Sequence, residues 1–131
     1  MPALLQSLAA LSLALSAYAQ TPAPPSVESL IDKWATNYGV SSSTMNRLMK
    51  CESGGNPQAL NPTDPNGGSK GLFQYQTNTF NLWAKEIGET RDIWDAEAQI
   101  RLTAYALSQN RQSHWSCFKI LRQVDSETGL E

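Results

Sequence analysis

Glu52 has the setting in this sequence that most suggests chemistry. It lies in the stretch Cys51-Glu52-Ser53-Gly54-Gly55-Asn56, where Met45, Leu48, Met49 and Glu52 fall at i, i+3, i+4 and i+7 of a helical pattern. This spacing puts the carboxylate on the apolar face. A carboxyl group in partly apolar surroundings has its charged form disfavoured, so its pKa rises and it can act as a general acid near neutral pH. Periodicity alone is equally compatible with a glutamate that frays into solvent or pairs with a basic side chain. Beyond it, residues 56–71 are rich in Pro, Gly and Asn and return the chain to Gly71-Leu72-Phe73-Gln74.

Other side chains carry weaker signals. Asp64-Pro65-Asn66 has the opening of a calcium loop, but Tyr75 stands where a closing bidentate glutamate would be needed, so calcium is rejected there. His114 is the single histidine and is read as structural or superficial, because no nucleophile-elbow sequence accompanies it. The four tryptophans read mostly as core. One or two of Tyr75, Tyr105 and Trp115 are candidates to line a groove, where a flat apolar face suits a sugar ring.

The elements that must position these groups are helical. Ser26 caps a helix through Tyr38 with Val27, Leu30, Ile31, Trp34 and Tyr38 on one face, and Ser41, Ser42 or Ser43 caps the next, which ends at Gly54-Gly55. Thr77 or Asn78 caps a third through about Ile87, and Asp95 starts a fourth through about Gln109, with Ala98, Leu102, Tyr105 and Ala106 as its inward stripe. The 56–71 segment cannot be helical and is read as a loop or short irregular hairpin. The expected fold class is mainly α, a small helical domain over residues 27–122 with a loop or hairpin insert beside a cleft and a loose tail over 123–131.

At 131 residues the chain has material for one modest core, and its net charge of −2 with no basic cluster argues against nucleic acid as a partner. Residues 1–19 are uncharged, apolar over Leu8–Leu15 and end in Ala17-Tyr18-Ala19, which reads as a secretion signal rather than a membrane span; residues 20–26 are a Pro-rich linker. The start lacks the usual positive residues of such a signal. In an oxidising compartment the even count, Cys51 and Cys117, suggests a disulfide, with two separate buried thiols as the alternative.

With these motifs in hand, the chain resembles the lysozyme-like lytic transglycosylase superfamily of soluble lytic transglycosylases and goose-type lysozymes over roughly residues 27–118. Its Cys-Glu-Ser-Gly-Gly-Asn and terminal Trp-x-Cys also look like the resuscitation-promoting factor branch, a pattern that supports pairing Cys51 with Cys117. The resemblance implies that Glu52 of the Glu-Ser motif is the acid/base catalyst and that Gln74 contacts substrate. Gln99 to Leu107 is similar to a family helix whose tyrosine, here Tyr105, lies beside the site. A later tyrosine that holds the glutamate in many relatives has no counterpart, since no tyrosine follows Tyr105; that function is vacant or filled by another group. Ser53, Asp64, Gln74, Tyr75, Tyr105 and Trp115 are therefore the candidate substrate-binding residues.

What the resemblance implies is cleavage of the β-1,4 bond between N-acetylmuramic acid and N-acetylglucosamine in peptidoglycan, by a monomer without cofactor or metal, secreted or cell-wall associated. A 1,6-anhydro product would mark a lytic transglycosylase. Asp64 activating a water would instead give a hydrolytic lysozyme, although Asp before Pro commonly caps its own turn, and that reading is preferred. The rivals from other classes are a non-catalytic peptidoglycan-binding module and a disulfide-stapled interaction domain.

Overall fold

The computed structural model describes residues 21–129; the leader expected over residues 1–19 lies outside them. After an irregular stretch over 21–26, helix α1 runs Val27–Tyr38 and α2 Ser42–Ser53. Ser26 and Ser41 cap them, each Oγ accepting from the backbone amide three residues on, as the sequence predicts.

The glycine-rich insert is a small antiparallel sheet of two-residue strands, β1 Leu60–Asn61, β2 Ser69–Lys70 and β3 Tyr75–Gln76. The order is β1-β2-β3, with Leu60 opposite Lys70, Asn61 opposite Ser69, and Lys70 opposite Tyr75. The expected loop or irregular hairpin is thus a hairpin extended by one further short strand.

Helix α3 spans Thr77–Ile87 and starts from Gln76 without a side-chain cap; the cap expected from Thr77 or Asn78 is not made, because Thr77 Oγ1 accepts from Lys70 Nζ and Asn78 Nδ2 donates to Asn66. Helix α4 spans Ala96–Ser108, its first turn capped by Asp95, whose Oδ1 accepts from the Ala98 amide at 2.8 Å. A single 3-10 turn, Gln112–His114, then leads into α5, Ser116–Thr128. The segment after residue 122, expected to be loose, continues as helix to Thr128.

Helix α4 is the centre of the domain. Ala98, Gln99, Ile100, Leu102, Thr103, Ala104 and Ala106 are all buried, so it is covered nearly all round rather than along the single expected stripe. Small residues at 98, 104 and 106 let neighbouring elements approach it: α1 packs along one side and α3 along another, while α2 packs against α1 and α5. Ile31, Met45, Leu48, Leu72, Phe73, Tyr75 and Phe80 fill the core between them.

An ion-pair network ties α1, the 88–95 loop and α4 together. Glu89, with only 2% of its side chain exposed, is paired by Arg91 at 2.8 Å and Arg101 at 3.0 Å. Glu97 accepts from Lys33 Nζ at 2.9 Å and from Trp34 Nε1 at 3.0 Å. The Arg91 hydrogen bonds hold the Glu89 carboxyl down at about 2.

Candidate active site

Glu52 is the penultimate residue of α2, on the face that also carries the buried Met45, Leu48 and Met49. Position on the helix accounts for its partial burial: the apolar face brings it inward, and the helix ends one residue later, so the carboxyl opens onto a cleft. Burial pushes its pKa above the ordinary carboxylate value, the charge of nearby Asp64 adds to that push, and the backbone amide of Cys117 pulls the other way by favouring the ionised form. The net direction is upward, as a proton donor requires.

The cleft has a volume of about 370 Å³ and is lined by Glu52, Asn61, Asp64, Ser69, Gln74, Gln76, His114, Trp115 and Ser116. The hairpin forms one wall, and the turn between α4 and α5 the other. A larger depression of about 550 Å³ lies beside Lys85, Glu89 and Arg91. Its buried carboxylate is already locked by two arginines and has no proton to give, so the smaller cleft is the chemically competent one.

The wall with Gln74 is held by Gln99. The Gln99 Oε1 accepts from the Phe73 amide at 2.9 Å, and its Nε2 donates to the carbonyls of Lys70 at 2.9 Å and Ile93 at 2.7 Å. One buried amide from the central helix thereby fixes both ends of the Gly71–Phe73 turn. The glycine at 71 follows from this: its φ is +79°, and a Cβ there would collide with the Gln99 amide group. Gln74 has a φ of +53°, a conformation uncommon for a residue with a side chain, and its Nε2 donates to the carbonyls of Gly71 at 3.0 Å and Ala59 at 3.2 Å.

Of the residues expected at the site, Glu52, Asp64, Gln74 and Trp115 share this cleft. Asp64 is also tied into its own turn, Oδ2 accepting from Ser69 Oγ at 2.5 Å and Asn61 Nδ2 at 3.3 Å. Trp115 is 2% exposed and donates its Nε1 proton to the Phe73 carbonyl at 3.0 Å, joining the two walls beneath the cleft floor.

Three expected residues are placed elsewhere. Tyr75 is fully buried, its hydroxyl paired with Thr103 at 2.9 Å, because alternate residues of β3 point to opposite faces. Gln76, the next residue, takes the cleft position instead. Tyr105 does not line the cleft; it donates to Glu86 at 2.7 Å and packs edge-on to Tyr38 at 5.9 Å. Ser53 closes the end of α2, its Oγ donating to the Met49 carbonyl and accepting from the Gly55 amide, both at 3.2 Å.

The cysteines are joined, Cys51 to Cys117, with Cα atoms 6.0 Å apart. Glu52 is thus gripped from two directions by one residue: its chain neighbour is bonded to the Cys117 sulfur, and the Cys117 amide faces its carboxylate.

His114, Ser116, Asn61, Ser69 and Gln76 line the cleft without having been singled out for it in the sequence. A lone histidine, a serine and common loop amides carry no spacing signal. Only the Trp-x-Cys pattern around positions 115–117 pointed to this wall. Among the described residues no cluster of His, Cys, Asp and Glu is arranged to hold a metal ion, and no helix is long and apolar enough to cross a membrane.

A mainly helical domain with a small three-stranded sheet, and a cleft that pairs a half-desolvated carboxyl with amide and hydroxyl groups, is a small lysozyme-like domain. The sequence matches the Transglycosylase SLT domain family over residues 29–119, and the chain belongs to that family. Membership places it among the lysozyme-like lytic transglycosylases, whose substrate is cell-wall peptidoglycan. No curated protein and no solved structure matches the chain significantly.

Proposed function

We propose that this protein is a lytic transglycosylase that cleaves the β-1,4 bond between N-acetylmuramic acid and N-acetylglucosamine, with Glu52 as its acid and base. The observation that carries the reading is the Glu52 carboxyl, its pKa raised by burial and its oxygens open to a cleft that Gln74 and Asp64 share. Protonated Glu52 gives its proton to the glycosidic oxygen as the C1–O bond breaks and the sugar gains oxocarbenium character. The substrate's own acetamido oxygen traps C1. The Glu52 carboxylate then takes the proton of the muramoyl 6-hydroxyl while that oxygen attacks C1, releasing the acetamido group and closing a 1,6-anhydro ring. No water is consumed, and Glu52 ends protonated as it began.

The second reading is hydrolysis, in which water replaces the 6-hydroxyl and Asp64 helps to activate it. It is favoured by Asp64 lying in the same cleft as Glu52. Against it, one Asp64 oxygen is committed to Ser69 and Asn61, as in a turn-capping role. Ser53, Gln74 and Trp115 serve in this proposal to shape or line the glycan site, and the enzyme acts as a monomer, secreted or cell-wall associated.

Turbidity clearing of purified cell walls by wild type and Glu52→Gln tests the catalytic claim. Wild type should clear and the variant should not, while both still bind muropeptides. Equal clearing by the two removes Glu52 from the mechanism, and binding without clearing by either makes the protein a peptidoglycan-binding module. Mass spectrometry of the released sugars separates the two enzymatic readings, because anhydro and reducing ends differ by one water.

A further inference from the structure

His114 lines the cleft and is not used by the mechanism above. His114 ends the 3-10 turn and projects beside Glu52's cleft, while the adjacent Trp115, in extended backbone, turns inward and is buried. The imidazole is exposed on the cleft side and backed by aromatic rings on the other. Trp115 meets it edge-on at 4.9 Å and 84°, Trp83 at 5.0 Å and 62°, and Tyr75 lies nearly parallel at 6.0 Å and 23°.

Such a backing fixes the ring's orientation, since rotation would drive it into Trp83 or Trp115. It also leaves the ring unusually free to bind. Among the described residues no hydrogen bond or ion pair engages either ring nitrogen of His114. Burial lowers its pKa, so the neutral imidazole prevails, with one N–H donor and one acceptor nitrogen.

We propose that His114 is a substrate-binding residue, the flat platform on which one N-acetylhexosamine ring of the glycan rests. The inference rests on the glycan reading given above. A pyranose face presents C–H groups of partial positive charge, and these are attracted to the electron-rich face of an aromatic ring. A free ring nitrogen at the platform's rim can pair with a hydroxyl or acetamido group. The platform stands on the wall formed by the α4–α5 turn, opposite the hairpin, so a sugar seated there lies between His114 and the Asn61, Gln74 and Gln76 amides. His114 therefore binds and orients; it transfers no proton.

The single histidine makes the test direct, because its ring protons are the only imidazole signals in the NMR spectrum. Glu52→Gln protein, unable to turn over, is titrated with tri-N-acetylchitotriose. Saturable shifts of the His114 ring protons, together with those of the Trp115 indole, are expected. Indole shifts that saturate while the His114 ring stays unmoved overturn the platform but leave the glycan site standing. No shift of any resonance overturns both.

Kinetics on soluble glycan fragments supply the second readout. His114→Ala should raise KM about tenfold, equivalent to about 1.4 kcal/mol, with kcat within about twofold of wild type. His114→Tyr, which restores a flat face, should recover most of the loss. A fall in kcat at unchanged KM, or no change in either, refutes the assignment, and should His114→Ala fail to fold, the tyrosine variant and the titration decide it.

Discussion

Replacing Gln99 by leucine probes how the central helix holds the cleft. The substitution keeps most of the side-chain volume and removes one acceptor and one amide donor group. Three hydrogen bonds are lost, to the Phe73 amide and to the carbonyls of Lys70 and Ile93. Lys70 and Ile93 are only half-buried, so water can take up their carbonyls at small cost. Phe73 is 0% exposed, and its stranded N–H has no such recourse. An unsatisfied buried donor costs about 1–3 kcal/mol, and the two replaced carbonyl bonds add a fraction more, so a loss of about 3 kcal/mol is expected. For a domain of this size that is a fall in Tm of roughly 12–24 °C. Urea denaturation followed by tryptophan fluorescence measures it. Gln99→Glu should do no better, because the carboxylate restores an acceptor for Phe73 but turns its second oxygen toward two carbonyls. At a temperature where Gln99→Leu is still folded, wall clearing should fall by about tenfold or more, since misplacing the Gln74 turn by even 1 Å loses aligned contacts. A Gln99→Leu protein within about 0.5 kcal/mol of wild type refutes the clamp. Full clearing activity in a measurably destabilised variant refutes its link to the cleft.

Two further outcomes concern charge. Asp64 raises the proton affinity of Glu52, so Asp64→Asn should shift the alkaline limb of the pH profile of kcat/KM to lower pH, where the general acid loses its proton earlier; an unmoved limb means that the two carboxylates do not communicate. Glu89, whose carboxyl falls from the ordinary 4.5 to about 2, contributes about 3 kcal/mol of stability that is fully present above about pH 5 and is lost as the pH falls toward 2. Denaturation midpoints across that window should drop steeply for wild type and more gently for Glu89→Gln, and parallel curves would show that the pair with Arg91 and Arg101 is not the source.

The helical frame was legible because its signals are local and repeated. Ser26, Ser41 and Asp95 cap as their types suggest, and the i, i+3, i+4 pattern ending on Glu52 correctly put that carboxyl on the inner face. Strands of two residues offer no alternation to read, so the sequence leaves Tyr75 a groove candidate, whereas its neighbour Gln76 faces the cleft. Tyr105 is expected beside the site from the resemblance of its helix to a family helix, and its hydroxyl donates to Glu86 instead of lining the cleft; the near-complete burial of α4 is not visible in hydropathy, because Gln99 and Thr103 are polar. The role of Gln99 depends on partners distant in sequence, which no local pattern encodes. His114 reads as structural or superficial in the sequence, because two of the rings that hold it at the cleft, Tyr75 and Trp83, are distant along the chain.

The bond between Cys51 and Cys117 has a topological meaning as well as an energetic one. It turns the chain from 51 to 117 into a closed ring containing the hairpin, α3 and α4, with the seam of the ring beside Glu52. Both chain ends hang from that seam. Unravelling that starts at either terminus therefore meets a covalent bridge next to Glu52, and a linker, a further domain or a wall attachment joined at either end can pull on the protein without dragging that carboxyl out of register.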